Sequence, residues 1–479
     1  MCSGLLAEYI RFCCTLQIPP NKRYTSAPVR LKLGSYISYS EEGWGWLSAF
    51  LNASYGISHL CIHSRGEKLL PKFSRSLPSG GGVYPNEIYI VLKNSSMNED
   101  ELYHYDPLHH ELVLIKSGNI FNKIMGSLSV SGRSYDCDFA IIVTNMLDKN
   151  SFKYGTMSYR IQTIDSGVFI RRVIEIAPYF RIDPEYHLDF DDDIIASELC
   201  IGDEEGVMGV ITIRDVPLFH FGRNDKNLKI PKTNLDLNRS KYFPLLKLVH
   251  EQTKPVHSKW RDKESFHSKN ISTKSPTYFL PNPRQKNMSL EQYMAIRNTT
   301  FHYFSGEEVS QEDFSSFLGM AFEQFNPCYD FHYRAEIAIY CYCNHIKDIK
   351  EGLYIYNVIS HSLTQVWEGA LSLNIYKTIV QPDLDFNKTA ATLILSGLPS
   401  FMEECSRLYR KTNIVCGIMM ERIIHSAVIQ GLGQYPFLSY SADAFKTVMK
   451  LPEPFIPLSL IFIGHKDCSN YILKYPMFL

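Results

Sequence analysis

The chain has 479 residues, 45% hydrophobic and 21% charged, with a formal net charge of −1 at pH 7. That length is too great for one ordinary domain and predicts two or three. A charge this close to zero removes any global electrostatic argument for nucleic acid or an anionic membrane as a partner.

The first residues, MCSGLLAEYIRFCC, lack a basic n-region and a long apolar stretch, so no signal peptide is expected. No apolar run approaches the roughly 20 residues that cross a bilayer. The 12 cysteines show no C-x-x-C and no zinc-ligand spacing. The close pairs, Cys13-Cys14 and Cys341-Tyr-Cys343, read as reduced thiols, with no metal site and no disulfide framework. A cytoplasmic protein is expected.

Further along, the chain repeats itself. EIYIVLKNSSMNEDELYHYDPLHHEL from Glu87 and EIAIYCYCNHIKDIKEGLYIYNVISHSL from Glu336 share Glu-Ile-x-Ile, a polar loop, Leu-Tyr-x-Tyr and His-x-Leu. YRIQTIDSGVFIRRVIEIA from Tyr159 and YRKTNIVCGIMMERIIHSA from Tyr409 share Tyr-Arg, Gly, Arg and Ala at a constant offset (409 − 159 = 250). The runs FAIIVT from Phe139 and ATLILS from Ala391 correspond, as do GVITI from Gly209 and SLIFIG from Ser459. Dense Ile/Val runs suit strands covered on both faces, and Ile170 to Ala177 reads as helix following a glycine.

The chain therefore reads as two copies of one α/β module. The expected division is an N-terminal extension over 1–44, a first module over 45–224, a Lys/Asn/Ser/Pro-rich linker over 225–288 and a second module over 289–479.

SAFL at Ser48 resembles SSFL at Ser315, an offset of 267, whereas the later segments differ by 249 (336 − 87). The first copy thus carries about 18 additional residues (267 − 249) where SRSLPSGGGVYPNEIYIVL lies. Three successive glycines there leave two readings open. They form a tight turn before a strand, or their amides make an anion-binding nest and let backbone approach a ligand. The loop is no P-loop, since no G-K-[ST] follows, and it precedes a strand, unlike a dinucleotide fingerprint. The recurrence of His110 as His361 favours a structural role over acid/base chemistry for His109 and His110. DFDDD at 189–193 reads as a solvated acidic turn rather than a cation site.

RSLPSGGGVYPNEIYIV resembles the R-x-x-P-S-[AG]-G-[AG]-x-x-P-x-E-x-Y signature of nitroreductase-like flavoproteins, and more narrowly that of SagB-type azoline dehydrogenases. ELYHYDPLHHELVLI is similar to that family's G-L-Y-x-Y-D-x-x-x-H-x-L pair, and FKYGTMSYRIQTIDSG to its K-Y-G-x-R-x-Y-R-x-x-x-x-D-x-G segment. DEEGVMGVITI resembles its closing strand. The resemblance covers most of 45–215 and, more weakly, 290–466.

It implies an α+β fold in which two tandem nitroreductase-like modules form an intrachain pseudo-dimer with FMN at their interface. Arg75, Pro78, Ser79, Gly80 and Gly81 would contact the cofactor from the first module. AIRNTTFHYF resembles the family's R-R-S-x-R phosphate motif, with Arg297 and Thr299 matching its first Arg and its Ser, and Asn298 departing from its second Arg. One composite site per chain is implied, the other being degenerate. Lys466 and Lys474 read as surface lysines.

The implied activity is oxidation of peptide thiazolines or oxazolines to azoles in the maturation of a ribosomally made product. The family's Lys-Tyr pair maps onto Lys153 and Tyr154 as catalytic residues. A modified precursor peptide and a cyclodehydratase would be partners, and homodimerisation stays open. Two other readings stand beside it: an NAD(P)H-dependent nitro or quinone reductase, and a non-catalytic scaffold of a peptide-modifying complex.

Overall fold

The computed structural model describes residues 30–32, 43–65, 68–93, 99–128, 137, 139–214, 216, 239–254, 275–322, 337–378, 384–397, 406–467 and 473–476. Most of the expected N-terminal extension, with Cys13 and Cys14, lies outside them.

The first module opens with β1 (Arg30–Lys32), α1 (Gly43–Tyr55) and the hairpin β2 (Ile57–Arg65) and β3 (Lys68–Arg75). Then come β4 (Asn86–Leu92), β5 (Asp100–Asp106), β6 (Glu111–Gly118), α2 (Phe121–Gly126) and β7 (Phe139–Met146). A short α3 (Ser151–Tyr154) leads into the long α4 (Ser158–Phe180), and β8 (Asp183–His187), α5 (Asp192–Leu199) and β9 (Glu205–Arg214) close the module.

After α6 (Phe243–Gln252), the second copy runs β10 (Thr277–Phe279), α7 (Leu290–Ile296), α8 (Gln311–Phe322), β11 (Ile337–Cys343), β12 (Gly352–Asn357), β13 (Ser362–Glu368) and β14 (Ala391–Gly397). It ends with α9 (Ser406–Gln430), β15 (Gly433–Phe437), α10 (Ala442–Met449), β16 (Ile456–Gly464) and β17 (Leu473–Pro476).

Two seven-stranded sheets result. Their orders are β1-β6-β5-β4-β7-β9-β8 and β10-β13-β12-β11-β14-β16-β15, so each strand has its counterpart at the same place in the other sheet. Even the irregularities recur: β5–β6 shifts register between Leu102 and Tyr103, and β12–β13 between Leu353 and Tyr354. In β4, Ile88, Ile90 and Leu92 face one core cluster while Tyr89 and Val91 face another. Strand side chains alternate between faces, so this partition means both faces of the sheet are covered, as the unbroken apolar runs require.

The repeat extends to side chains. His110 bonds Ser48 Oγ and Tyr105 Oη, each at 2.8 Å. His361 bonds Ser315 Oγ at 2.7 Å and Tyr356 Oη at 2.8 Å in the same arrangement. Both histidines sit at positive φ; His110 ties α1 to the β5–β6 hairpin, and His361 ties α8 to the β12–β13 hairpin. Burial pulls the His110 imidazole down to about 4, so it stays neutral.

The modules meet along α4 and α9. Gly167 and Gly417, equivalent at the offset of 250 (417 − 167), mark the crossing. A Cβ on Gly167 would lie 1.8 Å from the Ile414 carbonyl oxygen, and one on Gly417 2.0 Å from that of Ile164. Gly167 therefore sits inside a helix that starts at Ser158, rather than ahead of one that starts at Ile170. Helix α9 is long and apolar enough to cross a membrane, but its apolar window is 94% buried inside the protein as a core helix.

The boundaries shift as well. β1 pairs with β6, so part of the expected extension belongs to the first sheet. β10 pairs with β13, placing the start of the second sheet inside the expected linker. The first copy's additional residues form the β2–β3 hairpin and the glycine loop, and β17 adds to β2 as a third strand.

Candidate functional site

Between β3 and β4, Ser79 is extended and Gly80–Gly82 form a single 3₁₀ turn. Gly81 (φ +66°) and Gly82 (φ +65°) occupy the left-handed region, which a side chain would strain. Gly80 is glycine for packing, since a Cβ there would lie 2.3 Å from Ile161 Cγ2.

The turn is not the anion nest its composition allowed. The Gly80 amide donates to Asp165 Oδ1 at 3.0 Å, and the Gly82 amide to the Ser79 carbonyl at 2.9 Å. Ser79 Oγ donates to Asp165 Oδ2 at 2.6 Å and accepts from the Tyr84 amide at 2.9 Å. Asp165 projects from α4 and is buried. Burial pushes its carboxyl up to about 7, against the lowering effect of the Ser79 and Gly80 hydrogen bonds.

This turn forms one wall of a cavity of about 360 Å³ between the modules. Pro78 to Gly82, Tyr84, Lys153, Tyr154 and Asp165 line it from the first module. Arg297, Asn298, Thr299, Phe301 and Tyr435 to Ser439 line it from the second. Lys153 and Tyr154 reach over Gly81: a Cβ on that glycine would lie 2.6 Å from both Lys153 Nζ and Tyr154 Oη. Lys153 is exposed, and its Nζ lies 5.3 Å from the centre of the Tyr154 ring. Burial raises the Tyr154 phenol well above its ordinary range, with Asp165 and Tyr435 adding to the effect, so it remains a hydrogen-bond donor at neutral pH.

The second module's share is stapled to β15. The Thr300 amide donates to the Gln434 carbonyl at 2.9 Å, the Gln434 amide to Thr300 Oγ1 at 3.0 Å, and Gln434 Nε2 to the Asn298 carbonyl at 2.7 Å. Arg297 follows the last residue of α7 and is 4% exposed; its Nη2 donates to the Arg75 carbonyl at 3.0 Å. It is a buried arginine at a helix end.

Of the sequence-derived candidates, Pro78, Ser79, Gly80, Gly81, Lys153, Tyr154, Arg297 and Thr299 line this one cavity. Arg75 does not. Its guanidinium is buried against the Tyr55 and Tyr84 rings, 3.8 and 4.5 Å from their centres, behind the wall. Lys466 is not among the lining residues and bridges to Phe304 through the backbone. Lys474 lies in β17, paired with Cys61. Sequence reasoning gave no role to Asp165, Phe301 or Tyr435. Asp165 stood in the quoted K-Y-G segment, but its repeat partner is Val415 (415 − 165 = 250), which hid it from a comparison of the copies.

The equivalent place on the other side of the pseudo-two-fold is built differently. Lys411 replaces Ile161 and Asp189 replaces Ser439, each at an offset of 250 (411 − 161, 439 − 189), and these two form an ion pair there. Beside them Arg407 and Arg410 both pair with Asp192, with Arg407 Nη1 to Asp192 Oδ2 at 2.6 Å. The acidic run is therefore not a solvated turn. Asp189 and Asp192 make ion pairs to the second module, and Asp191 caps α5. Among the described residues no cluster of His, Cys, Asp and Glu suits a metal. The described cysteines Cys137, Cys200, Cys341, Cys343 and Cys416 are free thiols.

No protein family's sequence model matches the chain, and no curated protein does. Among solved structures, a protein from Anabaena variabilis provisionally described as a nitroreductase superposes with a TM-score of 0.77 at 18% identity, over 95% of each chain. The chain has a nitroreductase-like fold. That match spans both modules. A Ralstonia eutropha protein of the same provisional description matches 41% of this chain and 92% of its own, with a TM-score of 0.33 at 19% identity. The E. coli McbBCD microcin synthetase complex with truncated pro-MccB17 bound matches 40% of this chain and 70% of its own, with a TM-score of 0.29 at 18% identity.

Proposed function

We propose that the chain is an FMN-dependent oxidoreductase that converts thiazoline or oxazoline rings of a ribosomally made peptide to azoles. The observation that supports it is the meeting of the P-S-G-G turn, the Lys153–Tyr154 pair and Arg297 with Thr299 on a single cavity built by both modules. The residues suit FMN. Pro78 to Gly82 give the cavity an uncharged first-module wall, and Arg297 sets a buried cation at the second module's wall. Arg297 and Thr299 would hold the phosphate, and Pro78 to Gly81 would face the ring.

Bound FMN would supply the two-electron acceptor, chemistry no side chain can provide. Lys153 would remove the proton from the substrate carbon that was the residue's α-carbon. Only the neutral amine can act as this base, and desolvation by whatever fills the cavity would favour it. Tyr154, held protonated by burial, would donate its one hydrogen to the substrate and accept at its oxygen from the Lys153 amine, which keeps the lysine lone pair free. The ion-paired pseudo-equivalent place supports one cofactor per chain. The substrate peptide and a cyclodehydratase that forms its rings are the partners this activity requires.

The test is the visible spectrum of the purified protein with its flavin content. A yellow protein carrying one FMN per chain and oxidising a thiazoline peptide is expected. A folded, colourless protein refutes the reading. A yellow protein inert to thiazolines but rapidly bleached by NADPH replaces it with a nitro or quinone reductase.

A further inference from the structure

The hydrogen bonds around Ser79 are fully committed. Its hydroxyl donates to Asp165 Oδ2 at 2.6 Å and accepts from the Tyr84 amide at 2.9 Å. With Asp165 ionised, Ser79 has no hydrogen left for anything in the cavity it lines. A proton on Asp165 reverses the first bond. The carboxyl would donate to Ser79 Oγ, and the serine hydrogen would be free to turn into the cavity. The other oxygen would still accept the Gly80 amide, bonded at 3.0 Å, so the turn itself would hold its shape.

We propose that Asp165 and Ser79 form a proton-operated donor switch, in which a hydrogen-bond-accepting ring enters the cavity together with a proton taken up by Asp165. The inference rests on the FMN reading and assigns a residue that reading leaves without a role. The second copy agrees with it: Val415 stands where Asp165 does, on the side where an ion pair occupies the equivalent place. The balance is simple: one proton leaves solvent, joins the Asp165 carboxylate, and is released when the ligand departs.

The groups facing Asp165 permit the exchange. Tyr55 on α1 and Tyr154 on α3 feel its charge, and burial keeps both phenols neutral at physiological pH. Tyr84 and Lys153 from the first module, and Arg297 and Tyr435 from the second, line the same cavity. Neither Lys153 nor Arg297 bonds the Asp165 carboxylate. Its bonded partners are Ser79 and Gly80, and its burial already favours the neutral acid near pH 7.

The experiment is FMN affinity, from quenching of flavin fluorescence, at pH 6 and pH 8 for the full-length protein and two variants. If only the protonated form accepts the ring, a carboxyl titrating at about 7 weakens wild-type affinity by about tenfold over those two units. Asp165→Asn keeps a donor toward Ser79 and an acceptor for Gly80. It should bind at pH 8 as tightly as wild type does at pH 6, save for the titration of the FMN phosphate, which all variants share. Asp165→Val frees the Ser79 hydrogen but leaves the Gly80 amide without its acceptor; whatever its affinity, it should show no pH dependence between pH 6 and pH 8 beyond that shared titration. Wild type and Asp165→Asn with the same pH dependence would overturn the switch. Absence of FMN binding by wild type at either pH would instead overturn the FMN reading.

Discussion

The crossing of α4 and α9 gives the sharpest test of the pseudo-dimer. In Gly167→Ala the new methyl would lie 1.8 Å from the Ile414 carbonyl oxygen, where real contacts stay above 3.0 Å, so the helices must part by about 1.2 Å (3.0 − 1.8). Alanine gains about 0.8–1.0 kcal/mol over glycine in helix propensity. Overpacking in a closed core costs about 1–3 kcal/mol, and more where backbone is the obstacle. The clash should win, leaving a net loss of about 1–2 kcal/mol. Parting the helices also parts Ile164, Asp165 and Val168 from Met420 across the cavity, so FMN retention should fall with stability. Urea unfolding with flavin release monitored in parallel reads both. A Gly167→Ala protein as stable as wild type, with unchanged flavin content, would refute close contact at this pair.

The other expectations follow from single contacts. Gly81→Ala combines a left-handed φ of +66° with a methyl 2.6 Å from Lys153 Nζ and Tyr154 Oη; it should cost about 1–2 kcal/mol of backbone strain and abolish turnover, read by unfolding and by peptide oxidation. Arg410→Ala removes one of the two arginines paired with Asp192, which is 2% exposed, and should cost about 1.5–3 kcal/mol in urea unfolding, since Arg407 still pairs with the carboxylate. Asp165 and Glu421 are both raised by burial to about 7, and neither Glu421 oxygen has a hydrogen-bond partner. The fold thus holds these protons more tightly than the unfolded chain, where carboxyls titrate near 4. Stability should fall as pH rises from about 4 to about 7 and level off above, and Glu421→Gln should flatten that slope in unfolding midpoints taken across the range.

How much of this could be read from the residues depends on what each was doing. The apolar runs of β7, β9, β14 and β16 and their constant offset disclosed the duplication, because strands buried on both faces have little freedom to drift in composition. The Ser–His–Tyr triplets were visible as a recurring histidine, though not as a bond. Gly167 misled: local propensity treats glycine as a helix breaker, whereas here tertiary contact demands it mid-helix. β10 escaped notice because three residues carry no period, and only its neighbour β13 makes it a strand. Arg75 matched a signature but is spent on two tyrosine rings. The acidic run at 189–193 looked solvated because the cationic partners of Asp189 and Asp192 lie more than 200 residues away, beyond the reach of any local pattern.

The pairing of β17 with β2 has a consequence for synthesis of the protein on the ribosome. The first sheet's own strands are complete once residue 214 has emerged, yet the strand that covers β2 arrives at 473, after 259 further residues (473 − 214). At about 5–20 residues per second, that interval is roughly 13 to 50 s. Throughout it, the hairpin that leads into the glycine turn presents an uncapped β2 edge, a template for pairing with the wrong chain. A nascent first module can fold its sheet early, but this part of the molecule is finished only when residues 473–476 have been made.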